Sequence, residues 1–305
     1  MKNLTIVFVI IAVLAIGVGA YFLMQSPAGN VAVNKGPVAT PTPVPSATVA
    51  PTEQKPVDKS VSVLGKSVEG RDITAYHFGE GATELLFIGG IHGGYEWNTV
   101  LLAYELMDHL KKNPSAVAKN LKVTVIPVMN PDGLYKVTGS AGRFVPADVS
   151  QSQTKVVSGR FNANNVDLSR NFDCQWQASG AWQAKTVSGG SAPFSEPESQ
   201  AIRKYILEHK PAANVTWYSA AGGVFLSNCT AGISAETRTI ANKYSASSGY
   251  PQYDTFDFYP LSGDMVNWFA KENIPAISVL LTDHTSTEWN KNLAGFEALL
   301  KYYAR

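Results

Sequence analysis

Gly89-Gly90-Ile91-His92-Gly93-Gly94-Tyr95-Glu96-Trp97-Asn98 follows the apolar run Leu85-Leu86-Phe87-Ile88 and precedes an amphipathic pattern from Thr99 to Leu110. A short apolar run, a glycine cluster and then a helical period predict a buried strand, a tight turn and a helix. The turn would lie outside the carboxyl end of a strand, where open α/β sheets bind ligands. An imidazole and a carboxylate at such a turn are two potential ligands for a zinc ion. A Glu at a helix start is also favoured by the helix dipole alone.

Working outward, Val61 to Gly65 and Ile73 to Phe78 read as strands joined by the turn Glu69-Gly70-Arg71-Asp72. Leu121 to Val128 is a further strand, closed by the turn signal Asn130-Pro131-Asp132-Gly133. Tyr135 to Phe161 has no clean period and reads as loops with short pieces of structure. Ser195-Glu196-Pro197-Glu198 is a capping box for a helix that runs to about His209. Val215 to Tyr218 is a strand, Ser234 to Ser245 a helix, Gly263 to Ala270 the start of another, and Ala276 to Leu281 an apolar strand. Thr285-Ser286-Thr287-Glu288 reads as a capping box for a last helix striped by Trp289, Leu293, Phe296, Leu300 and Tyr303. Strands alternating with helices predict an α/β fold with a largely parallel or mixed sheet covered on both faces.

The chain has 305 residues, 45% hydrophobic and 16% charged, with a formal net charge of +1. No Lys/Arg cluster stands out, which argues against nucleic acid as the main partner, because phosphate binding needs a basic patch. Residues 1–25 hold an uncharged apolar run, Leu4 to Met24, of about 21 residues, long enough to cross a bilayer as a helix. Lys2 places its amino end in the cytoplasm. The expectation is a single-pass anchor with the remainder outside the cytoplasm. The competing reading is a signal segment cut near Gly17-Val18-Gly19-Ala20, which leaves the protein secreted. Residues 26–58, rich in Pro and Thr, read as a disordered stalk, and 59–305 as the folded domain. The two cysteines, Cys174 and Cys229, form no Cys-x-x-Cys pair, so a thiolate zinc site is not expected. Either a disulfide between them or two free thiols fits the sequence.

Several loop stretches carry more than turn chemistry: His92…Glu96, Asn130-Pro131-Asp132-Gly133, Val166-Asp167-Leu168-Ser169-Arg170-Asn171-Phe172, Ser195-Glu196-Pro197-Glu198 and Tyr259-Pro260-Leu261-Ser262-Gly263. In this order and at these separations, together with Gly65-Lys66-Ser67-Val68-Glu69-Gly70-Arg71, they resemble the zinc carboxypeptidases of the carboxypeptidase A type. The resemblance covers residues 60 to 305. It implies a three-layer α/β fold, with a mixed, mostly parallel eight-stranded sheet flanked by helices. It implies removal of a C-terminal residue from a peptide; the expected partner is a peptide or cell-wall peptide. One zinc, held by two His and one Glu, would polarise the scissile carbonyl and activate water, with a separate Glu as general base.

Residue by residue, the resemblance makes His92 and Glu96 zinc ligands and Asp167 the carboxylate that orients His92. Arg170 would grip the substrate carboxylate, Arg143 would polarise the carbonyl, and Tyr259 would close over the bound terminus. The departures are as specific. Three residues, not two, separate His92 from Glu96. Tyr218 stands where the family has its second zinc His, Leu280 where it has the general-base Glu, and Ser169 where it has an Asn before the carboxylate-binding Arg. Leu280 can neither take a proton nor bind metal, and a phenol has an ordinary pKa near 10. Candidate replacements are His284, as a metal ligand from the loop, and Asp283 or Glu288, as a base. The expectation is therefore a carboxypeptidase-like domain with a degraded site, or a non-catalytic relative that holds peptide carboxylates.

Overall fold

Val61–Lys66 (β1) and Asp72–Phe78 (β2) pair antiparallel across the Glu69-Gly70-Arg71 turn, where Gly70 takes a positive φ of 82°. The computed structural model describes residues 59–305, so the expected anchor and stalk lie outside the described residues. Thr83–Ile88 (β3) leads into the glycine turn, and Trp97–Lys112 (α1) leads out of it. Then follow Leu121–Ile126 (β4), Pro131–Thr138 (α2), Gln153–Ser158 (α3), and the short hairpin Ser179–Trp182 (β5) with Lys185–Ser188 (β6). Pro197–His209 (α4), Ala213–Ser219 (β7), Gly223–Leu226 (β8), Ala235–Ser248 (α5) and Gln252–Tyr253 (β9) come next. Met265–Lys271 (α6), Ala276–Leu281 (β10) and Trp289–Tyr303 (α7) complete the described chain.

Eight strands form one sheet in the order β1-β2-β4-β3-β7-β10-β8-β9. The central run β4-β3-β7-β10 is parallel, with antiparallel pairings at β1/β2, β2/β4 and β10/β8. This is the expected mixed, mostly parallel eight-stranded sheet. Alternation along β3 shows why its sequence is apolar throughout. Leu85 and Phe87 enter the core layer under α1, α5 and α7, while Leu86 and Ile88 enter the opposite layer with Ile202 of α4 and Trp268 of α6. A strand covered on both faces needs apolar side chains in both directions. The chain passes from β3 to β4 on one side and later returns to β7 on the other. The crevice at such a reversal, beyond the carboxyl ends of the strands, is the natural ligand site of the architecture.

Three local expectations are corrected. Asn130-Pro131-Asp132-Gly133 opens α2 rather than closing a turn. The Asn130 side chain accepts from Gly133 N at 2.8 Å and Pro131 sits at the first helical position, where its missing N–H costs nothing. α4 is capped at Glu196, not Ser195, because Pro197 is its first residue. α7 begins after Glu288, at φ 46°, while Thr285 donates to Asp283 Oδ1 at 2.8 Å. Side-chain bonding of an Asp to the residues just after it competes with helical capping. β8 is a strand that the glycine-rich run from Ala220 to Val224 did not announce.

Of the two readings open for the cysteines, the structure shows the bonded one. Cys174 and Cys229 form a disulfide with Cα atoms 5.7 Å apart. At a sequence separation of 55 it stabilises by about 4 kcal/mol on the chain-entropy model.

Candidate active site

Beyond β3 the chain turns on glycines because the backbone packs tightly there. A Cβ on Gly90 (φ 63°) would approach Val100 Cγ2 to 2.7 Å, and one on Gly93 (φ 43°) would approach Gly159 O to 2.7 Å. Gly93 and Gly94 absorb the additional residue between His92 and Glu96, whose side chains still meet: His92 Nδ1 lies 2.8 Å from Glu96 Oε1. Both are buried.

The other imidazole nitrogen is held from the loop before β5. His92 Nε2 is 2.9 Å from Ser169 Oγ and 3.3 Å from Asp167 Oδ1. Ser169 Oγ donates to that same Asp167 oxygen at 2.7 Å. Ser169 therefore bridges the imidazole to the carboxylate. Asp167 is fully buried, and burial by itself would raise its pKa. The adjacent Arg160 charge and the His92 hydrogen bond outweigh it and hold the carboxyl well below the usual range.

Arg160 is the arginine that the tertiary structure brings to this centre. Its Nε donates to Asp167 Oδ2 at 2.9 Å, and its Nη1 lies 3.2 Å from His92 Nδ1 and 3.8 Å from Glu96 Oε1. Its Nη2 is 2.8 Å from Asp167 Oδ2 but at an angle that leaves it without a hydrogen bond. The expectation for Arg143 is corrected. It pairs with Asp108 at 2.6 Å, half-exposed on the surface over the Tyr104 ring, and does not line the cleft. The signal for Arg160 was its position in the loop that carries Asp167, seven residues ahead; Arg143 lies beyond α2, against Tyr104 and Asp108 of α1.

Arg170 is buried. Its Nη1 donates to Ser169 Oγ and Ser169 O, both at 3.0 Å, and Nη2 donates to Ala181 O at 3.1 Å. The Tyr259 ring lies 5.7 Å from its Cζ. His92, Glu96, Arg160, Ser169, Arg170, Tyr218, Tyr259 and Leu280 line one small cavity of about 60 Å³. It shares Glu96, Arg160, Tyr259 and Leu280 with an outer recess of about 400 Å³ walled by aromatic rings, among them Tyr95, Trp182 and Phe258. Asp264, which sequence reasoning missed, also lines the inner cavity; it caps α6 at Asn267 N (2.8 Å), and burial pushes its carboxyl up. A capping Asp one residue past the Gly263 turn was its legible signal.

Among the proposed replacements, only His284 faces the cleft, in the outer recess, with Nδ1 2.8 Å from Ser219 Oγ. Asp283 and Glu288 are not among the residues lining either cavity. Asp283 Oδ1 accepts from Thr285 N and Ser286 N at 2.6 and 2.7 Å. Glu288 accepts from Thr282 N and Tyr250 Oη, both at 2.7 Å.

The donor set falls short of a three-residue zinc site. Among the described residues no group of three His, Cys, Asp or Glu side chains is placed to hold a metal ion. Tyr218 brings a phenol whose hydroxyl is buried without a partner. Burial, then the charges of Asp264 and Glu96, push it well above its ordinary pKa. His92 and Glu96 remain, with Glu96 Oε2 also unpartnered. A buried charge normally requires pairing, and Arg160 supplies the nearby positive charge.

The sequence profile of the zinc carboxypeptidase family matches residues 52–292. The chain is 31% identical over 167 residues to carboxypeptidase B of Astacus astacus, covering 52% of each protein. It is 30% identical over 164 residues to the inactive metallocarboxypeptidase ECM14 of Saccharomyces cerevisiae, covering 50% of this chain and 36% of that one. The chain thus spans about half the length of the first relative and about a third of the second. Among solved structures, the murein-tripeptide amidase MpaA of Escherichia coli O157 superposes with a TM-score of 0.57 at 20% identity, over 81% of this chain and 93% of that one. Carboxypeptidase A of Helicoverpa armigera gives 0.59 at 20%, over 79% and 66%. Profile, relatives and sheet topology agree, and the chain belongs to the zinc carboxypeptidase family.

Proposed function

We propose that the domain recognises the free carboxyl end of a peptide outside the cytoplasm, without zinc-dependent hydrolysis. The observation that carries this reading is the contrast within one cavity: Arg160 and Arg170 both line it, while Leu280 and Tyr218 stand at the base and third-ligand positions. Guanidinium groups match carboxylates in shape and charge. Arg170 takes the terminal carboxylate, Tyr259 covers it, and Arg160 faces the adjoining carbonyl. Asp167 and Ser169 keep His92 and Arg160 in place from behind. The apolar segment Leu4–Met24 tethers the domain to the membrane, and the Pro/Thr-rich stretch holds it away. Peptides of the cell wall are the proposed partners, in keeping with a murein-tripeptide amidase of the same fold.

Calorimetric titration of the full chain in detergent with short peptides tests this. Free-acid peptides are expected to bind at least about tenfold more tightly than their C-terminal amides, the size of one charge-assisted hydrogen bond. Arg170→Ala abolishes the difference and Arg143→Ala leaves it intact. Equal binding of acid and amide rejects the reading.

The unpartnered Glu96 Oε2 favours a second reading, in which His92 and Glu96 still hold the family's zinc with substrate or solvent completing the shell. Metal analysis after dialysis separates the two: about one zinc per chain supports the second, none the first.

A further inference from the structure

Besides the His92–Glu96 pair, a hydroxyl nucleophile and an imidazole meet in this cleft. Ser219 ends β7, and His284 lies three residues beyond the end of β10. β7 and β10 are parallel neighbours, with Leu281 opposite Ser219. Both strands therefore open onto the same rim, and Ser219 Oγ comes within 2.8 Å of His284 Nδ1.

Asn98 holds the pair from below. Its Nδ2 donates to Asp283 O at 2.8 Å and to Ser286 O at 2.9 Å, clamping the chain on both sides of His284. Its Oδ1 accepts from Ser219 Oγ at 3.1 Å, so Asn98 Oδ1 and His284 Nδ1 are alternative acceptors for the one hydroxyl proton. The His284 ring packs against Tyr95, with centroids 4.7 Å apart. Ser219 lines both the inner cavity and the outer recess, His284 lines the recess, and Arg160 lines both. A nucleophile, a base within hydrogen-bond reach, an orienting amide and a guanidinium thus share one space. Rotation of the Ser219 hydroxyl from Asn98 Oδ1 to His284 Nδ1 gives the nucleophile–base contact that an activated serine uses.

We infer that Ser219 and His284 form a nucleophile–base pair that catalyses acyl transfer to water, on an ester or amide whose leaving group ends in a free carboxylate. The substrate class rests on the carboxylate-recognition reading; the Ser219–His284 pair itself does not. Ser219 Oγ adds to the acyl carbon as its proton passes to His284 Nδ1, and the carbonyl electron pair moves onto oxygen, facing the Arg160 guanidinium. The oxyanion collapses, the bond to the leaving group breaks, and that group takes the proton from Nδ1 and departs as an alcohol or amine. Water then gives a proton to Nδ1 and adds to the acyl-Ser219 carbon. Ser219 Oγ leaves with that proton, and the acid is released. No oxidant, reductant or metal enters the balance.

The test treats the full chain in detergent with a fluorophosphonate, which phosphonylates activated serines, and locates the adduct by peptide mass spectrometry. The expected result is an adduct on Ser219, with p-nitrophenyl acetate hydrolysis that survives EDTA. Ser219→Ala abolishes both. His284→Gln and His284→Ala each slow both by at least about 100-fold, the usual share of a general base. Ser219→Ala and both His284 variants keep the native circular dichroism spectrum and urea midpoint, which shows the chain folded. Absence of an adduct on Ser219, labelling at the same rate in both His284 variants, or full hydrolysis by Ser219→Ala overturns the inference. If acid and amide peptides bind equally while Ser219 is labelled, the carboxylate reading fails and the nucleophile stands.

Discussion

Tyr218 and Leu280 are register partners in the parallel pairing of β7 and β10. Both side chains enter the core layer on the cleft side, and both line the inner cavity. The two departures from the family pattern, 62 residues apart in sequence, are thus one change in space. A carboxylate at 280 would have to give up its hydration in this buried cavity, which costs free energy even with Arg160 and Arg170 among the lining residues. A leucine there removes that cost along with the base.

Because the two positions are adjacent, they are expected to restore zinc chemistry only together. Tyr218→His with Leu280→Glu should raise EDTA-sensitive release of C-terminal residues from peptides by at least about 100-fold over the native chain. Each single change should leave it near background. Initial rates with and without chelator check this. No chelator-sensitive gain in the double variant places the impairment elsewhere in the cleft.

The buried Asp167–Arg160 contact predicts a pH signature. Asp167 is depressed in the folded chain from an ordinary value of 3.8. A carboxylate shifted down stabilises the fold fully above its unfolded pKa, and that contribution is lost as pH falls from there through the folded pKa. Urea unfolding followed from pH 6 down to 3 should lose stability steeply below about pH 4. Asp167→Asn should flatten that slope and cost about 3–5 kcal/mol at pH 7, since it strands a buried arginine. A slope unchanged by the substitution would assign the acid sensitivity to other carboxylates.

Gly263 couples the Tyr259 loop to Arg170. It takes φ 62°, and a Cβ there would overlap the Arg170 carbonyl oxygen. Its own N–H donates to Cys174 O at 2.8 Å and its carbonyl accepts from Phe172 N at 2.9 Å. Gly263→Ala is expected to cost about 1–3 kcal/mol in urea unfolding, from positive φ and displaced backbone. Free-acid peptide should bind about tenfold more weakly as Arg170 and Tyr259 separate. Stability loss with unchanged peptide affinity would show that the loop moves independently of Arg170.

The local signals fared best where a pattern was long or chemically narrow. Leu85-Leu86-Phe87-Ile88 read as a doubly covered strand, and the stripe from Trp289 to Tyr303 as a packed helix, because burial direction repeats with the backbone period. Asn130-Pro131-Asp132-Gly133 misled because the same four residues suit a turn and a helix start, and only the following chain distinguishes them. Gly223–Leu226 was too short to announce a strand; its pairing with β10 makes it one.

The family and the longer strands and helices are carried by local sequence: glycine turns, apolar periods and motif order act within a few residues of the chain. Which arginine faces His92, that Asp283 bonds the backbone just after it while Glu288 bonds Thr282 and Tyr250, and that Ser219 meets His284 were settled by the tertiary structure. Those outcomes depend on where loops from separate strands converge and which way each side chain turns. No pattern along one segment encodes the distance to another.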